Sequence, residues 1–321
     1  MESMERIKGG NIIVTGGTGF IGSHLVKELL AQGAKVTVID IVCHEKSYFS
    51  QQNLQSKANL HFIDIAQKNK INKLFSSIQP DYIFHLAAEA IVNNSFQNPY
   101  KTFETNVMGT VSVLEAARDI PGIKGIIVAS SDKAYGKTQK KYTEKSPLQG
   151  DHPYDVSKSC TDLIAQTYYK SYGLPVVVTR FGNVYGEGDL HIDRIIPGIC
   201  EAIIANKSLQ IRSDGKYIRD YLYVKDVVSG YIFLLQHIEK TKGEAFNFSS
   251  EDSLSVLDLI KKTERILSKK ITYKILNNAK NEIPYQHLDD TKVRSLGWQN
   301  KYTMKEVMPN ILKWYNNLYS L

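Results

Sequence analysis

The 321 residues exceed the size at which a single hydrophobic core keeps growing, and the net charge of +7 comes from 40 Lys and Arg against 33 Asp and Glu that are scattered, not grouped. This composition requires no nucleic-acid partner, and no apolar run resembles a signal peptide or a membrane span. The 3 cysteines lie far apart without a Cys-x-x-Cys pair, so we expect neither disulfides nor a metal site, and a cytoplasmic location.

Short apolar runs alternate with amphipathic stretches through the first half of the chain. The runs at 11–15, 35–39, 60–63, 81–86, 126–129 and 176–179 predict strands. Helical spacing begins near Ile21 and stops at Gly33, and it returns at 105–117. Parallel strands joined by crossover helices predict an α/β fold with a Rossmann-type doubly wound sheet.

After about residue 186 the pattern changes to helical segments separated by short strands. The helical segments are predicted at 192–205, 224–237, 254–267 and 305–319. We expect a smaller, mostly helical C-terminal substrate domain packed against the first. The predicted boundaries assign 1–185 to the Rossmann domain, with 219–250 returning to it, and 186–218 with 251–321 to the substrate domain.

A glycine-rich loop, Thr-Gly-Gly-Thr-Gly-Phe-Ile-Gly at 15–22, directly follows the first predicted strand. Gly16 allows a tight turn, Gly19 lets the backbone approach a pyrophosphate, and Gly22 permits close packing of helix on strand. Phe20 and Ile21 then open the helix whose N-terminus would bind the phosphates. The loop predicts a dinucleotide cofactor.

The ends of the next strands carry further candidates for that cofactor. Asp40 ends the second strand at the spacing expected for the carboxylate that binds ribose hydroxyls, and no arginine beside it would neutralise a 2′-phosphate. We therefore predict NAD and not NADP. The other candidates follow the third and fourth strands, at the edge where a doubly wound sheet binds its ligand: they are Asp64, Ile65, Leu86, Ala87 and Ala88.

A phenol and an ammonium group lie one helical turn apart in Tyr154-Asp155-Val156-Ser157-Lys158. A phenol with its ordinary pKa of about 10 is a poor base, and we expect the cation of Lys158 to lower the pKa of Tyr154 so that it can deprotonate a sugar hydroxyl. Taken alone, Tyr-x-x-x-Lys is common on exposed helix faces. Here Ser131, at the end of the preceding strand, gives it more weight.

The ordered motifs resemble those of the extended short-chain dehydrogenase/reductase family over essentially the whole chain; they lie at 15–22, 85–88, 131, 154–158, 183–186 and 219–221. The resemblance implies that Ser131, Tyr154 and Lys158 are catalytic and that the substrate is a nucleotide-sugar. It also implies that Asn106 supports Lys158 and that Asn183 and Arg219 hold the substrate diphosphate. Glu89 and Arg194 are further predicted substrate-binding residues. A homodimer is expected through helices at 105–117 and 154–172.

The pair Asp132-Lys133 after Ser131 bears most directly on the reaction. It resembles a minority of sugar-nucleotide 4,6-dehydratases, typified by CDP-glucose 4,6-dehydratase. After oxidation at C4 the proton on C5 becomes acidic, so a neutral Lys133 would take it while a protonated Asp132 donates to the departing C6 hydroxyl, or with the two roles exchanged. If Asp132 and Lys133 only form an ion pair at the strand end, the enzyme would be a 4-epimerase or a simple oxidoreductase.

The sequence leaves open which sugar and which nucleotide base the substrate carries. The second half of the chain resembles CDP-glucose 4,6-dehydratase, whereas the glycine loop has the general family form. Dehydratases of GDP- or UDP-linked N-acetylglucosamine, which feed surface glycans and nonulosonic acids such as legionaminic acid, fit as well. The alternative of another class is a non-catalytic NAD-sensing protein, and retention of Ser131, Tyr154 and Lys158 together disfavours it.

Overall fold

The computed structural model describes residues 6–138, 140–278 and 283–320, and its strands form three sheets. Twelve strands are described: β1 (Asn11–Thr15), β2 (Lys35–Asp40), β3 (Asn59–Phe62), β4 (Tyr82–His85), β5 (Gly125–Ala129), β6 (Val176–Phe181), β7 (Asn183–Tyr185), β8 (Leu209–Ile211), β9 (Ile218–Tyr223), β10 (Ala245–Phe248), β11 (Ser253–Ser255) and β12 (Tyr273–Ile275). The central sheet has the order β10-β6-β5-β4-β1-β2-β3, and every pair in it is parallel. This confirms the predicted Rossmann-type fold.

The strand order reverses between β1 and β4, so the chain winds outward from β1 in both directions. Thr15, the last residue of β1, lies opposite Ile39 of β2 and His85 of β4. The crevice beyond the carboxyl ends of such strands is where an open α/β sheet binds its ligand. The topology therefore places the glycine loop and the residues after β4 at one edge.

The described α-helices are α1 (Phe20–Ala31), α2 (Tyr48–Gln51), α3 (Lys68–Ile78), α4 (Val92–Gln97), α5 (Pro99–Phe103), α6 (Gly109–Arg118), α7 (Pro153–Tyr172), α8 (Ile195–Ile204), α9 (Val224–Gln236), α10 (Ile238–Thr241), α11 (Val256–Leu267), α12 (Thr291–Ser295) and α13 (Met304–Tyr319). Neighbouring residues of β1 point to opposite faces: Ile12 and Val14 pack with α1 and α9, and Ile13 packs with α3, α6 and α7. Both faces are covered, which explains the continuous apolar strands.

Three predicted helices begin later in the structure, and the one predicted at 192–205 begins at Ile195 as α8. Residues Glu104–Met108 form a π-helical turn before α6, where the Asn106 carbonyl accepts hydrogen bonds from Thr110 Oγ1 at 2.6 Å and Thr161 Oγ1 at 2.9 Å. The helix predicted from residue 254 begins at Val256. Leu254 of β11 instead pairs with Arg219 of β9. Ser255 is the N-cap of the helix, because its Oγ accepts a hydrogen bond from the Asp258 backbone nitrogen at 3.1 Å.

A second apolar cluster lies outside the central sheet. It joins α8, α11 and α13 to the small sheets β11-β9-β7 and β12-β8 through buried side chains such as Cys200, Leu259 and Ile311. The predicted domain boundaries at 185 and 250 stay predictions. In the part of the chain that the structure describes, no helix has the length and apolar character needed to cross a membrane.

Candidate active site

The glycine loop connects β1 to α1 in a conformation that side chains would block. Gly16 has φ of +72°, and a Cβ there would lie 2.7 Å from the backbone nitrogen of Ala87. A Cβ on Gly22 would overlap the carbonyl oxygen of Gly16. Gly19 is exposed, and a Cβ added to it would meet Gly16 O as its nearest atom, at 3.3 Å. The loop thus packs tightly on the sheet and leaves room at Gly19 for a bound group, while Phe20 and Ile21 follow half-buried in α1.

Asp40 lies beside this loop and is held by it. Thr18 donates to Asp40 Oδ2 from its backbone nitrogen at 3.0 Å and from Oγ1 at 2.7 Å, and Ile41 N donates to Oδ1 at 2.8 Å. The neighbours Ile41 and Val42 are exposed and apolar. The structure therefore brings Asp40 to the glycine loop without a neighbouring cation, as the ribose-binding prediction requires.

Asp64 and Ile65 follow β3 at the same edge of the sheet. Asp64 Oδ2 pairs with Lys101 Nζ at 2.9 Å, and Ala66 N donates to Oδ1 at 2.9 Å. Burial acts to raise the pKa of Asp64, but the hydrogen bonds from Lys101 and Ala66 outweigh it and lower the pKa. Ile65 is buried where a Cβ on Gly109 would strike its side chain. Asp64 is thus an ionised, paired carboxylate.

The segment after β4 is hydrogen bonded to the end of β1. The backbone nitrogens of Leu86 and Ala87 each donate to Thr15 Oγ1 at 3.2 Å, and His85 Nδ1 lies 2.8 Å from the same oxygen. Burial, with the nearby charge of Lys158, lowers the pKa of His85 to about 3, so its imidazole is neutral. Leu86, Ala87 and Ala88 remain half-buried at the mouth of the crevice.

Ser131 and Tyr154 meet at the carboxyl end of β5. Both side chains are more than nine-tenths buried. Burial raises the pKa of Tyr154 to about 12, although the nearby Ser131 hydroxyl and the charge of Arg194 act against it. The effect of Lys158 on this pKa, which was expected together with that of the oxidised cofactor, stays a prediction.

Lys158 lies on the same helix as Tyr154 but bonds elsewhere. Its Nζ donates to Ala129 O at 2.8 Å, and burial lowers its pKa to about 8 against the attraction of Asp162. Asn106, which the family resemblance makes a support for Lys158, donates from Nδ2 to Ser157 Oγ at 2.8 Å and to Glu89 O at 3.0 Å. Its side chain thus reaches α7 one residue before Lys158.

Asp132 and Lys133 begin a 3-10 turn, Asp132–Tyr135, that Ser131 caps. Asp132 is buried; Ser131 Oγ donates to its Oδ1 at 3.0 Å and Gln286 Nε2 donates to its Oδ2 at 2.9 Å. Burial raises the pKa of Asp132 despite the nearby charges of Lys133 and Arg219. Lys133 is half-buried and also lies within electrostatic range of Asp155. Burial therefore favours the protonated form of Asp132, whereas its two hydrogen-bond donors favour the carboxylate.

Two of the predicted substrate residues, Asn183 and Arg219, lie on the neighbouring strands β7 and β9. Asn183 of β7 pairs with Tyr221 of β9 in register, two residues from Arg219 on the same strand, and the Arg219 guanidinium stacks over the ring of Tyr217 at 5.6 Å.

The remaining two predicted substrate residues face the loop after β7. Arg194 Nη1 pairs with Asp189 Oδ1 at 3.0 Å, and Glu89 Oε1 accepts from Ile91 N at 2.9 Å. Both Arg194 and Glu89 lie close enough to His191 for their charges to affect its pKa, which burial lowers. Within residues 6–138, 140–278 and 283–320, no three His, Cys, Asp or Glu side chains form a group that could hold a metal.

Sequence reasoning missed two sets of residues behind the site. Gln286 reaches Asp132 from 154 positions further along the chain, and no motif marks it. Buried Arg180 forms two bonds with Asp162, at 2.7 and 2.8 Å, and donates to Tyr135 OH at 2.6 Å. An arginine inside an apolar strand is the one signal that would have indicated a buried partner.

Comparison with known proteins places these features in one family. The model described as "NAD dependent epimerase/dehydratase family" matches residues 12–249, and the chain therefore belongs to that family. The structural neighbours include NAD-bound dehydratases and epimerases, and the family is NAD-dependent.

The similar proteins carry out more than one reaction. CDP-glucose 4,6-dehydratase of Salmonella typhimurium is 31% identical over 96% of this chain and 91% of its own length. A trifunctional UDP-glucose 4,6-dehydratase/UDP-4-keto-6-deoxy-D-glucose 3,5-epimerase/UDP-4-keto-L-rhamnose-reductase of Arabidopsis thaliana is 30% identical over 95% of this chain, which spans about half (47%) of that protein.

Two solved structures share the fold over nearly the whole length. The dTDP-glucose 4,6-dehydratase DesIV of Streptomyces venezuelae, with NAD bound, has a TM-score of 0.87 at 27% identity and covers 95% of this chain and 97% of its own. UDP-glucose 4-epimerase of Thermotoga maritima, with UDP-glucose, also has a TM-score of 0.87, at 31% identity with 96% and 99% covered. Overall similarity therefore does not separate dehydration from epimerisation.

Proposed function

We propose that this member of the NAD-dependent epimerase/dehydratase family is a nucleotide-sugar 4,6-dehydratase, which converts an NDP-hexose or NDP-N-acetylhexosamine to its 4-keto-6-deoxy form. The main support is Asp132, a buried carboxyl whose pKa burial raises, next to Lys133 and hydrogen bonded to Ser131, whose hydroxyl also lies near Tyr154. An oxidation at C4 needs only the Ser131 and Tyr154 pair. A buried acid beside an amine supports a second, elimination step.

The residues at the sheet edge fit the cofactor that this family uses. Gly16 and Gly22 hold a turn that a Cβ would block, Gly19 leaves its backbone open to a pyrophosphate, and Asp40 stands where ribose hydroxyls would bind. Bound NAD supplies the hydride acceptor for C4 and the hydride that is later returned at C6. Lys158, fixed on Ala129 O, would face the same edge.

The chain's own groups would handle the protons. Tyr154 takes the hydroxyl proton at C4 once positive charge near the phenol offsets the burial that raises its pKa. Lys133 then takes the C5 proton, the C6–O bond breaks, and Asp132 gives its proton to the departing hydroxyl, which leaves as water. Lys133 gives a proton back to C5 when C6 is reduced, and the proton that Tyr154 took from the C4 hydroxyl replaces, through Ser131 or solvent, the one that Asp132 gave up. The net change is loss of one water. Arg219 and Asn183 would bind the diphosphate.

A panel of nucleotide-sugars tests the reaction and the substrate together. We would incubate the enzyme with CDP-glucose, dTDP-glucose, UDP-glucose, and UDP- and GDP-N-acetylglucosamine, and measure product mass. A product lighter by one water, with solvent deuterium at C5 when the reaction runs in heavy water, supports the dehydratase. A product of full mass that keeps its C5 hydrogen, with C4 inverted, would establish the second candidate, a 4-epimerase, which similarity to the Thermotoga enzyme favours.

Two variants separate the steps. Asp132→Asn and Lys133→Ala should still produce NADH absorbance in a single turnover, because both side chains act after C4 oxidation. They should yield little 4-keto-6-deoxy product. Binding of NAD without any turnover of the whole panel would instead support the sensing alternative.

We also propose a cytoplasmic homodimer. Exposed apolar side chains, among them Met108, Leu163 and Tyr172, lie along the π-helical turn before α6 and along α7, where the four-helix interface is expected. The free cysteines Cys43 and Cys160 support a reducing compartment. Light scattering at micromolar concentration should give the dimer mass, and Leu163→Glu should reduce it to the monomer mass.

A further inference from the structure

Gln286 enters the site on an extended segment that is pinned on both sides. Its backbone nitrogen donates to Ile218 O at 3.1 Å, and two residues later Leu288 N donates to Asp220 Oδ2 at 2.7 Å. On the other side Tyr142 N donates to His287 O at 2.9 Å. These backbone contacts fix where the Gln286 side chain begins, so its amide is aimed by the fold.

Only one end of the Gln286 amide has a hydrogen-bond partner among the described residues. Its Nε2 donates to Asp132 Oδ2 at 2.9 Å, whereas its Oε1 is buried without a hydrogen-bond partner among the described residues. Both oxygens of Asp132 already accept, because Ser131 Oγ donates to Oδ1. This arrangement suits a carboxylate. A proton on Oδ1 would require the Ser131 hydroxyl to turn and accept it, and a proton on Oδ2 would require the Gln286 amide to turn.

A half-turn of the amide reverses the two roles. The oxygen and nitrogen of a glutamine amide are nearly the same size, and exchanging them would put Oε1 against Asp132 Oδ2. Oε1 would then accept the Asp132 proton, and Nε2 would take the position that has no partner among the described residues. One end of the amide is unpaired in either orientation, so the contact with Asp132 decides: a carboxylate accepts from Nε2, and a carboxylic acid donates to Oε1.

We propose that Gln286 is a positioning residue for Asp132: its amide nitrogen donates to the carboxylate, and its amide oxygen, after a half-turn, accepts from the carboxylic acid. The role in catalysis rests on the proposed dehydratase function. There the carboxyl must hold a proton while C4 is oxidised and release it to the leaving hydroxyl. The Gln286 amide keeps that proton on one named oxygen, Oδ2, which fixes the direction of Asp132 before the proton is released.

The protonation of Asp132 is measured directly, without substrate. The infrared band of its protonated carboxyl is followed against pH as the difference between each protein and the same protein carrying Asp132→Asn. Gln286→Leu removes the amide contact with both states of Asp132 at similar volume. The bond to the ionised carboxylate is the stronger of the two, so we expect the Asp132 pKa to rise by about one pH unit. Gln286→Glu keeps the size and adds a second carboxyl, so the pair should titrate in two separated steps.

Gln32→Leu is the matched control, because Gln32 Nε2 donates to Glu28 Oε1 at 2.8 Å and its Oε1 is likewise buried and unpartnered, but on α1. The control should leave the Asp132 titration unchanged. An Asp132 pKa that is the same in native protein and Gln286→Leu would overturn the proposal. If Gln286→Leu does not fold, a single-step titration in Gln286→Glu would overturn it equally.

Single-turnover kinetics then connect the contact to the reaction. With a substrate from the panel, Gln286→Leu should form NADH within about twofold of the native rate and should slow elimination by about tenfold or more. Equal slowing of both steps would indicate a merely structural role and overturn the positioning role. If no sugar of the panel is dehydrated, the proposed function fails, and the infrared titration still decides whether Gln286 controls the proton of Asp132.

Discussion

Asp162→Asn should destabilise the protein strongly, because it removes the negative charge from a buried ion pair without changing its shape. Arg180 and Asp162 are both almost fully buried, and two bonds of 2.7 and 2.8 Å join them. The guanidinium also donates to Tyr135, the last residue of the turn that carries Asp132 and Lys133. In the variant a full positive charge stays buried without its counter-charge.

The magnitude follows from the burial of the pair. Breaking a buried ion pair by removing one charge costs about 3 to 5 kcal/mol in the free energy of unfolding. Unfolding entropy near the midpoint is about 2.1 cal/mol/K per residue, or about 0.7 kcal/mol/K for 321 residues. The melting temperature should therefore fall by about 4 to 7 °C.

Melting curves at one scan rate and neutral pH, followed by circular dichroism, measure this change. The control is Glu239→Gln, which removes the exposed Lys242–Glu239 pair at 2.7 Å and should lower the melting temperature by less than about 1.5 °C. An Asp162→Asn melting temperature within about 1.5 °C of native would refute the reasoning, because the pair would then contribute no more than an exposed one.

Three further changes test other parts of the structure. Burial, opposed by Lys133, raises the pKa of Asp155 to about 6, so its charged form lowers the free energy of unfolding as pH rises from about 4 through 6. Asp155→Asn should melt at the same temperature as the native protein at pH 4 and be more stable by about 2 kcal/mol at pH 8. A stability difference that does not depend on pH would contradict this. Gly22→Ala places a Cβ on the Gly16 carbonyl and should weaken NAD binding in calorimetry by tenfold or more, whereas native affinity would show that the turn adapts. Tyr154→Phe should bind NAD yet form no NADH with substrate, and native turnover in this variant would remove Tyr154 from its role.

The sequence was sufficient to predict the parts of the fold that depend on neighbouring residues in the chain. The six predicted strands of the central sheet appear in the structure, because uninterrupted β-branched runs such as that ending at Thr15 can be buried on both faces. The same holds for the glycine loop, where positive φ at Gly16 and the overlap at Gly22 are requirements of the turn itself. The beginning of α11 was missed because pairing of Leu254 with a distant strand overrides helical spacing.

The parts of the site that depend on distant contacts could not be predicted. The spacing of Tyr154 and Lys158 suggested direct action of the cation on the phenol, but spacing carries no information on burial, which raises the pKa of Tyr154. Gln286 meets Asp132 only because β9 and Tyr142 pin its segment, and neither contact leaves a pattern in the sequence. The roles of the candidate site residues stay predictions until variants are measured.

Because Gln286 lies late in the chain, it is synthesised after the other residues of the site. All seven strands of the central sheet have been made once Phe248 has left the ribosome, and the glycine loop, Tyr154 and Asp132 precede that point. A nascent chain of this length contains every strand of the crevice in which we propose that the dinucleotide binds. The amide that hydrogen bonds to Asp132 is synthesised later, across a separation of 154 residues. A partly made chain would therefore hold the proposed cofactor-binding residues before it held the amide that contacts Asp132.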